Sequence, residues 1–298
     1  MKVFVTGGTG FVGPRVVHAI RSRGESVRAL VRRPQRAALL ESWGAELVEG
    51  DVTDVDSLRR GVEGAEVVVH LVAIRQGRRE QFERVMTQGT RDLVAAAQAA
   101  GVRRFVLMSA LGTTEETKDL VPYYHSKWEM EQAVKASGLE HVIFRPSFVF
   151  GREGGILPTF AKVARLGPVT PVIGSGDQRL QPIWIEDVGD YFAAALEKPE
   201  AANRTFEVGG PDAVTWNEFW QRLRQALGIR RRPLVHVPVG FMRVNALVTE
   251  RLPGNVPLTR DLLTMLEGPD NVVSNDDALR TFQLPLVPLD EQLRRSAG

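Results

Sequence analysis

Two tyrosines and a lysine in the run PYYHSK, residues 122–127, carry the most specific chemistry in the chain. Side chains four apart share one face of a helix, so Tyr123 and Lys127 are expected to stand together there, with Tyr124 pointing elsewhere. A phenol beside an ammonium is an acid/base pair: the positive charge favours the phenolate, and the hydroxyl can give or take a proton. The same six residues also read as an ordinary first turn of a helix. The surroundings must decide between the two.

A second stretch, VTGGTGFVGPRVV, sets Gly7, Gly10 and Gly13 at three-residue intervals directly after an apolar run and at the opening of a helical pattern. Small residues let the main chain approach a pyrophosphate, and a helix N-terminus offers it free N–H groups and a positive dipole end. Thr9, Phe11 and Val12 belong to the same turn. Read without a ligand, the glycines would only pack a strand tightly against a helix. About twenty residues past such a turn, a carboxylate serves the ribose hydroxyl of NAD and an arginine serves the phosphate of NADP. Here the position reads Val31-Arg32-Arg33, and no acid lies between Glu25 and Glu41. Because a guanidinium takes a phosphate through paired, charge-assisted hydrogen bonds, NADP(H) is expected over NAD(H). The alternative is a pair of solvated arginines in an arginine-rich chain.

The elements that must position these residues follow from periodicity. KVFVT, SVRALV, AELVEG, EVVVHLV, RRFVLMS and HVIFRP are short, nearly continuous apolar runs. Helical patterns separate them, to about residue 23 and then near 34–42, 54–61, 80–100 and 123–137. That alternation predicts an α/β fold with a Rossmann-type, doubly wound parallel sheet covered on both faces. After Gly151 the character shifts to frequent Gly and Pro, with helical stretches near 156–166, 187–197, 215–227 and 258–267. The expected division is therefore a dinucleotide-binding domain over 1–150 and a smaller, mostly helical C-terminal lobe over 151–298. Residues 187–210, ending in the strand-like RTFEVGG, are expected to pack back on the sheet.

Composition narrows the classes. A length of 298 residues, with 43% hydrophobic and 25% charged residues, is that of a soluble globule. The absence of cysteine excludes disulfides, thiolate catalysis and cysteine-ligated metals, and suits a reducing compartment. His18, His70, His125, His141 and His236 have no metal-ligand spacing, so no metal is expected. MKVFVTGG is not a secretory signal and no apolar run is long enough to span a bilayer, which leads us to expect a cytoplasmic protein. Arginine supplies all but six of the 38 basic residues, but acids are interspersed and the net charge is +2, so no nucleic-acid stripe forms.

TGGTGFVG at the N-terminus, GDVTD at 50–54, HLVA at 70–73, MSA at 108–110, Tyr123-x-x-x-Lys127 and FRPSFVFG at 144–151 occur in the order and spacing of the extended short-chain dehydrogenase/reductase superfamily. The resemblance covers most of the chain. Within that superfamily the sequence is similar to the atypical epimerase-like branch that includes the NADPH-binding accessory subunit of respiratory complex I and its bacterial relatives. The resemblance implies Asp51 and Val52 beside the adenine, Leu71, Val72 and Ala73 along the cofactor, and Pro146 and Phe148 near the nicotinamide. It also implies Tyr123 as acid/base, Lys127 orienting the ribose and lowering the phenol's pKa, and Ser109 bonding the substrate oxygen. Read from the residues alone, Asp51 could cap the helix that follows, and the other stretches could be core.

The chain departs from that pattern in two places. The catalytic hydroxyl usually comes two residues after Ser109, where this chain has Leu111, with Thr113 and Thr114 the nearest substitutes. In GDQRLQPIWIEDVGD, Gln181 and Pro182 replace the end of the run that binds nucleotide sugars, and Asp187 is expected to cap a helix. WNEFWQRLRQAL puts Trp216, Trp220, Leu223 and Leu227 on one face, as core or lobe packing. PVGFMRVNALVTERL, 238–252, reads as a helix covering the cleft, or as one facing a membrane or a partner.

Two functions of different class follow. One is an NADP(H)-dependent oxidoreductase or epimerase/dehydratase-like enzyme acting on an unidentified carbonyl or carbinol compound. The other is an NADPH-binding sensor or accessory subunit with weak or no turnover, compatible with peripheral membrane or respiratory-complex association. Monomer and homodimer are both compatible with helices 80–100 and 123–137.

Overall fold

The computed structural model describes residues 1–166, 168–229, 233–249, 259–266 and 270–297. Its first half alternates as the periodicity predicts: β1 (Lys2–Thr6), α1 (Gly13–Ser22), β2 (Ser26–Val31), α2 (Ala38–Ser42), β3 (Glu46–Glu49), α3 (Val55–Val62), β4 (Val67–His70), α4 (Arg79–Phe82), α5 (Gly89–Ala99), β5 (Arg104–Met108), α6 (Pro122–Lys135) and β6 (Glu140–Pro146). The strand Arg204–Val208 pairs in parallel with β6, with Phe206 opposite Phe144. The resulting seven-stranded sheet has the order Arg204–Val208, β6, β5, β4, β1, β2, β3. Every pairing in it is parallel.

The apolar runs are continuous because both faces of this sheet are covered. All four residues of β4 are buried, and Val3, Phe4 and Val5 of β1 are wholly inaccessible. On one face Phe4, Val68, Phe105, Leu107 and Ile143 meet Leu58 and Val62 of α3, Leu93 and Ala97 of α5, and Met130 and Val134 of α6. On the other face α1 turns Val16, Val17 and Ile20 inward and packs against the helix Ile185–Ala194. Each such Val, Leu, Ile, Phe or Met side chain contributes about 1.5–3 kcal/mol relative to exposure.

Three details differ from the periodicity. The pattern near 34–42 divides into a 3-10 turn, Pro34–Arg36, and the five-residue α2, because Ala37 leaves helical geometry at φ −109°. The long helix expected over 80–100 runs from Arg79 to Ala99, with a π-helical stretch at Glu83–Gln88 between α4 and α5. The run EVVVHLV stops being a strand after His70: Leu71 N–H makes a last bond to Thr6 O at 3.0 Å, and the chain then leaves the sheet.

Two compact units make up the chain. One is Met1–Pro146, Ile185–Val208 and Ser274–Pro285, and it holds the whole sheet. The other is Ser147–Trp184, Gly209–Val273 and Leu286–Gly298. Besides its helices, the second unit has three pairs of short strands that the sequence reading treated as irregular. Val149–Phe150 pairs with Ile183–Trp184, Arg179–Leu180 with Val214–Thr215, and Thr170–Ile173 with Leu234–Val237. Its helix Trp216–Ala226 is opened by a Thr215–Glu218 capping box and buries Phe219, Trp220 and Leu223. Phe160 stands edge-on to Trp216, Phe219 and Trp220 with ring centroids 5.3–5.5 Å apart, so this face is core. The helix expected over 258–267 is found as Arg260–Leu266, and the end of PVGFMRVNALVTERL, residues 250–252, lies outside the described residues.

Candidate functional site

β1 lies between β4 and β2, so the connections after it leave in opposite directions and open a crevice at the carboxyl ends of the strands. The glycine turn sits at that point. Gly7 has φ +79°, and a Cβ there would stand 2.9 Å from the main-chain carbon of Leu71. A Cβ on Gly13 would stand 2.3 Å from Gly7 O. Both positions therefore admit only hydrogen. Gly10 differs: its N–H closes the turn onto Gly7 O at 3.0 Å, and a Cβ would meet that same oxygen alone, at 3.2 Å. Thr9 and Gly10 are exposed, Phe11 is half-buried and Val12 is buried. α1 begins at Gly13 without a side-chain cap, so its first turn presents main-chain N–H groups to an anion. Gly7 and Gly13 thus serve packing while Gly10 is exposed, an arrangement that fits a pyrophosphate.

Arg32 and Arg33 follow the last residue of β2 directly; both are exposed and hold no ion pair among the described residues. Asp51 does not cap α3. Asp54 does, accepting from Asp56 N–H at 3.1 Å, while Asp51 Oδ1 accepts from the N–H and hydroxyl of Thr53 at 2.9 and 2.8 Å. Val52 is buried beside the start of α5. Leu71 is buried, Val72 half-buried and Ala73 exposed along the segment that leaves β4.

The reacting end is built on α6, which Pro122 opens at its first position. Tyr123 and Lys127 share a face: Lys127 Nζ lies 5.9 Å from the Tyr123 ring centroid. Lys127 is fully buried and donates to Met108 O, at the end of β5, at 2.6 Å. Tyr124 turns away and packs its ring against Gly112, where a Cβ would meet the phenol oxygen at 2.9 Å. Burial opposes the expected lowering of the phenol. The Tyr123 phenol is held well above its ordinary range, chiefly by burial and secondarily by Tyr124, with the Arg75 charge pulling the other way. Burial also brings the Lys127 ammonium down to about 7, against the pull of Glu131, so its charge is itself strained and does not dominate the phenol.

Ser109 is likewise not aimed as expected. Its hydroxyl donates to Glu131 Oε1 at 2.6 Å, and that wholly buried carboxylate also accepts from Arg145 Nε and Nη2 at 2.8 and 2.7 Å and from Lys135 Nζ at 3.1 Å. Burial pushes Glu131 up, but the bonds from Arg145 and Ser109 and the neighbouring charges outweigh it and hold the carboxyl below its usual range. Leu111 is half-buried, with its N–H bonded to Pro146 O at 2.9 Å. Of its substitutes, Thr114 turns to Thr117, and Thr113 is buried with its hydroxyl unpartnered among the described residues.

In the second unit, Phe148 sets its ring 5.8 Å from Trp216 and its N–H on Asn271 Oδ1 at 3.3 Å. Gln181 is buried and used at both ends by main chain, donating to Gly210 O at 2.7 Å and accepting from Val273 N–H at 3.0 Å. Asp187 is the third residue of the helix Ile185–Ala194, not its cap, because that helix starts two residues earlier than expected.

Sequence reading missed His70. It is fully buried at the end of β4, and its hydrogen-bond chain has one consistent direction. Thr90 donates to Met86 O at 2.6 Å, so it must accept from His70 Nε2–H at 3.0 Å, and Nδ1 then accepts from the Thr6 hydroxyl at 2.5 Å. Burial, assisted by the Lys127 charge, lowers its pKa to about 3 and keeps the ring neutral. No sequence spacing signals this contact, which joins residues 6, 70 and 90.

Among the described residues no helix is long and apolar enough to cross a membrane, and no cluster of His, Cys, Asp and Glu could hold a metal. A family model described as NAD(P)H-binding matches residues 7–165. The ceramide reductase of Caulobacter vibrioides is 32% identical over 248 residues, spanning 83% of this chain and 77% of that protein. Subunit 9 of the NADH dehydrogenase [ubiquinone] 1 alpha subcomplex, mitochondrial, from Rattus norvegicus is 29% identical over 242 residues, 79% of this chain and 63% of that one. Among solved structures, the Citrobacter sp. triphenylmethane reductase complexed with NADP(H) superposes with a TM-score of 0.77 at 18% identity, over 99% of this chain and 100% of the other. With the glycine turn, the parallel sheet and the Tyr123–Lys127 helix in place, the chain belongs to the NAD(P)H-binding, epimerase-like members of the extended short-chain dehydrogenase/reductase superfamily.

Proposed function

We propose that the protein is an NADP(H)-dependent oxidoreductase acting on a carbonyl or carbinol compound. The observation that carries this reading is the Tyr123–Lys127 pair, on one face of α6 beside the end of β5, on the same sheet that bears the Gly7–Gly13 turn. The nicotinamide, when bound, supplies or accepts the hydride. Tyr123 gives the proton to the carbonyl oxygen or takes it from the carbinol, and Lys127 holds the ribose and biases the phenol. Thr9, Gly10, Phe11 and the uncapped turn of α1 take the pyrophosphate. Asp51 and Val52 flank the adenine, Leu71 to Ala73 run along the cofactor, and Pro146 serves its nicotinamide end. Arg32 and Arg33, exposed and unpaired with acids among the described residues, are suited to a 2′-phosphate. Ser109 acts by fixing α6, since its hydroxyl is already committed to Glu131. The reductase name of the Caulobacter relative supports the reductive direction.

A second reading, an NADPH-binding accessory subunit or sensor, is favoured by one observation: Leu111 carries no hydroxyl, Thr114 is turned to Thr117, and the Thr113 hydroxyl is buried. The subunit name of the Rattus relative belongs with that reading. Calorimetric titration with NADPH and NADH at one ionic strength tests the cofactor assignment. Tighter binding of NADPH, lost in Arg32→Ala with NADH affinity unchanged, is expected; equal native affinities would remove the assignment.

A further inference from the structure

Two consecutive residues at the end of β5 hold two residues of α6 one turn apart. Met108 O accepts from Lys127 Nζ, and Ser109 Oγ donates to Glu131, each at 2.6 Å. Glu131 is wholly buried, yet four hydrogen bonds from Ser109, Arg145 and Lys135 converge on it. A buried carboxylate is costly unless it is fully paired, so four donors gathered around one explain why it is tolerated there. They do not explain why a charge is placed one helical turn from the buried ammonium of the acid/base pair.

We propose that Glu131 is a positioning residue that acts through Lys127, as the counter-charge that keeps this lysine an ammonium and, with Ser109 and Arg145, as the anchor that fixes its turn of helix. This role rests on the reading of Tyr123 and Lys127 as the reacting pair. Around Lys127, β4 contributes the neutral His70, whose titration registers the Lys127 charge, and α6 contributes Tyr123 and Glu131. β6 contributes Arg145, and Lys135 closes the far side of Glu131. Glu131 is the acid that opposes the effect of burial on Lys127, while Arg145 and Lys135 compete with Lys127 for it. Ser109, expected as the catalytic hydroxyl, is in this account part of the support.

The test reads Lys127 directly in the cofactor-free protein, so its outcome is independent of turnover. With only six lysines in the chain, 13C-labelling at Cε gives resolvable signals whose shift follows protonation, and Lys127→Arg assigns the one of interest. Native Lys127 should titrate near 7. Glu131→Gln should lower the midpoint by about one pH unit or more, and Glu131→Asp should restore most of it. Arg145→Gln should move it the opposite way, upward, because Glu131 then loses one of the two cations that compete with Lys127 for it. Mere loosening of the structure would admit water and raise the midpoint in both variants. An unchanged or raised midpoint in Glu131→Gln would overturn the proposal, as would a fall in Arg145→Gln, which decides the matter if Glu131→Gln does not fold. Single-turnover hydride transfer in Tyr123→Phe tests the underlying reading separately: a native rate there would remove the reacting pair while leaving the Lys127 titration as found.

Discussion

Lys127 Nζ donates to the main-chain carbonyl of Met108 at 2.6 Å, in a site so closed that the amine is brought down to about 7. An unfolded lysine keeps its proton to about 10.4. Between those values the unfolded chain holds a proton that the folded chain has released, so stability rises with pH across this window and carries the full penalty below it. The native unfolding free energy should therefore climb by up to ~1.4 kcal/mol per pH unit between pH 7.5 and 9. Lys127→Met should abolish that slope. Urea denaturation of both proteins at three pH values checks it, and parallel curves would contradict the placement of Lys127. His70 behaves in the same sense at lower pH: the folded ring stays neutral down to about 3 while the unfolded chain takes up a proton below about 6.5, so stability falls as pH falls between those values.

The glycine turn separates fold from ligand. Gly13→Ala forces a methyl onto Gly7 O, where the available gap is 2.3 Å, and should destabilise the protein by roughly 2 kcal/mol or more. Gly10→Glu meets only one oxygen, at 3.2 Å, and should keep native secondary structure while losing the upward thermal shift that NADPH gives the native protein. Circular dichroism with thermal melts, with and without NADPH, reads both effects. A retained shift in Gly10→Glu would count against the pyrophosphate at this turn.

Tyr191 is wholly buried against the rings of Phe144 and Phe282, at centroid distances of 5.8 and 5.4 Å, and its hydroxyl has no hydrogen-bond partner among the described residues. Removing an unsatisfied buried hydroxyl lifts a desolvation penalty, so Tyr191→Phe should be neutral or stabilising by about 1 kcal/mol. A clear loss in the urea midpoint would mean that the hydroxyl is in fact paired.

In the proposed reaction, Leu111 occupies the position where the family resemblance expects a donor to the substrate oxygen. If transfer is slow for that reason, Leu111→Ser should raise the single-turnover rate by about tenfold or more. No gain would place the limitation elsewhere.

What the sequence made legible was what is local or periodic. β1 to β6 declare themselves as apolar runs, the Gly7–Gly13 turn by its spacing after a strand, and Tyr123 with Lys127 by the four-residue period of α6. The rest depends on partners distant in sequence. Nothing near Ser109 indicates that Glu131 will take its hydroxyl, and nothing near Gln181 indicates the main chain of Gly210 and Val273. The chain from Thr6 through His70 to Thr90 crosses two strands and a helix. The strand pairs of the second unit are two to four residues long, too short for alternation to show. The phenol is a related case: spacing shows which charge lies near, but not how far burial opposes it.

Single-turnover oxidation of bound NADPH, followed at 340 nm with a panel of small aldehydes, ketones and quinones, tests the central claim most directly. The account predicts that whichever compound the native protein reduces, Tyr123→Phe loses at least ~100-fold in the transfer step while still binding NADPH, and Tyr124→Phe changes little. A native rate in Tyr123→Phe would contradict it and leave the protein a cofactor-binding module.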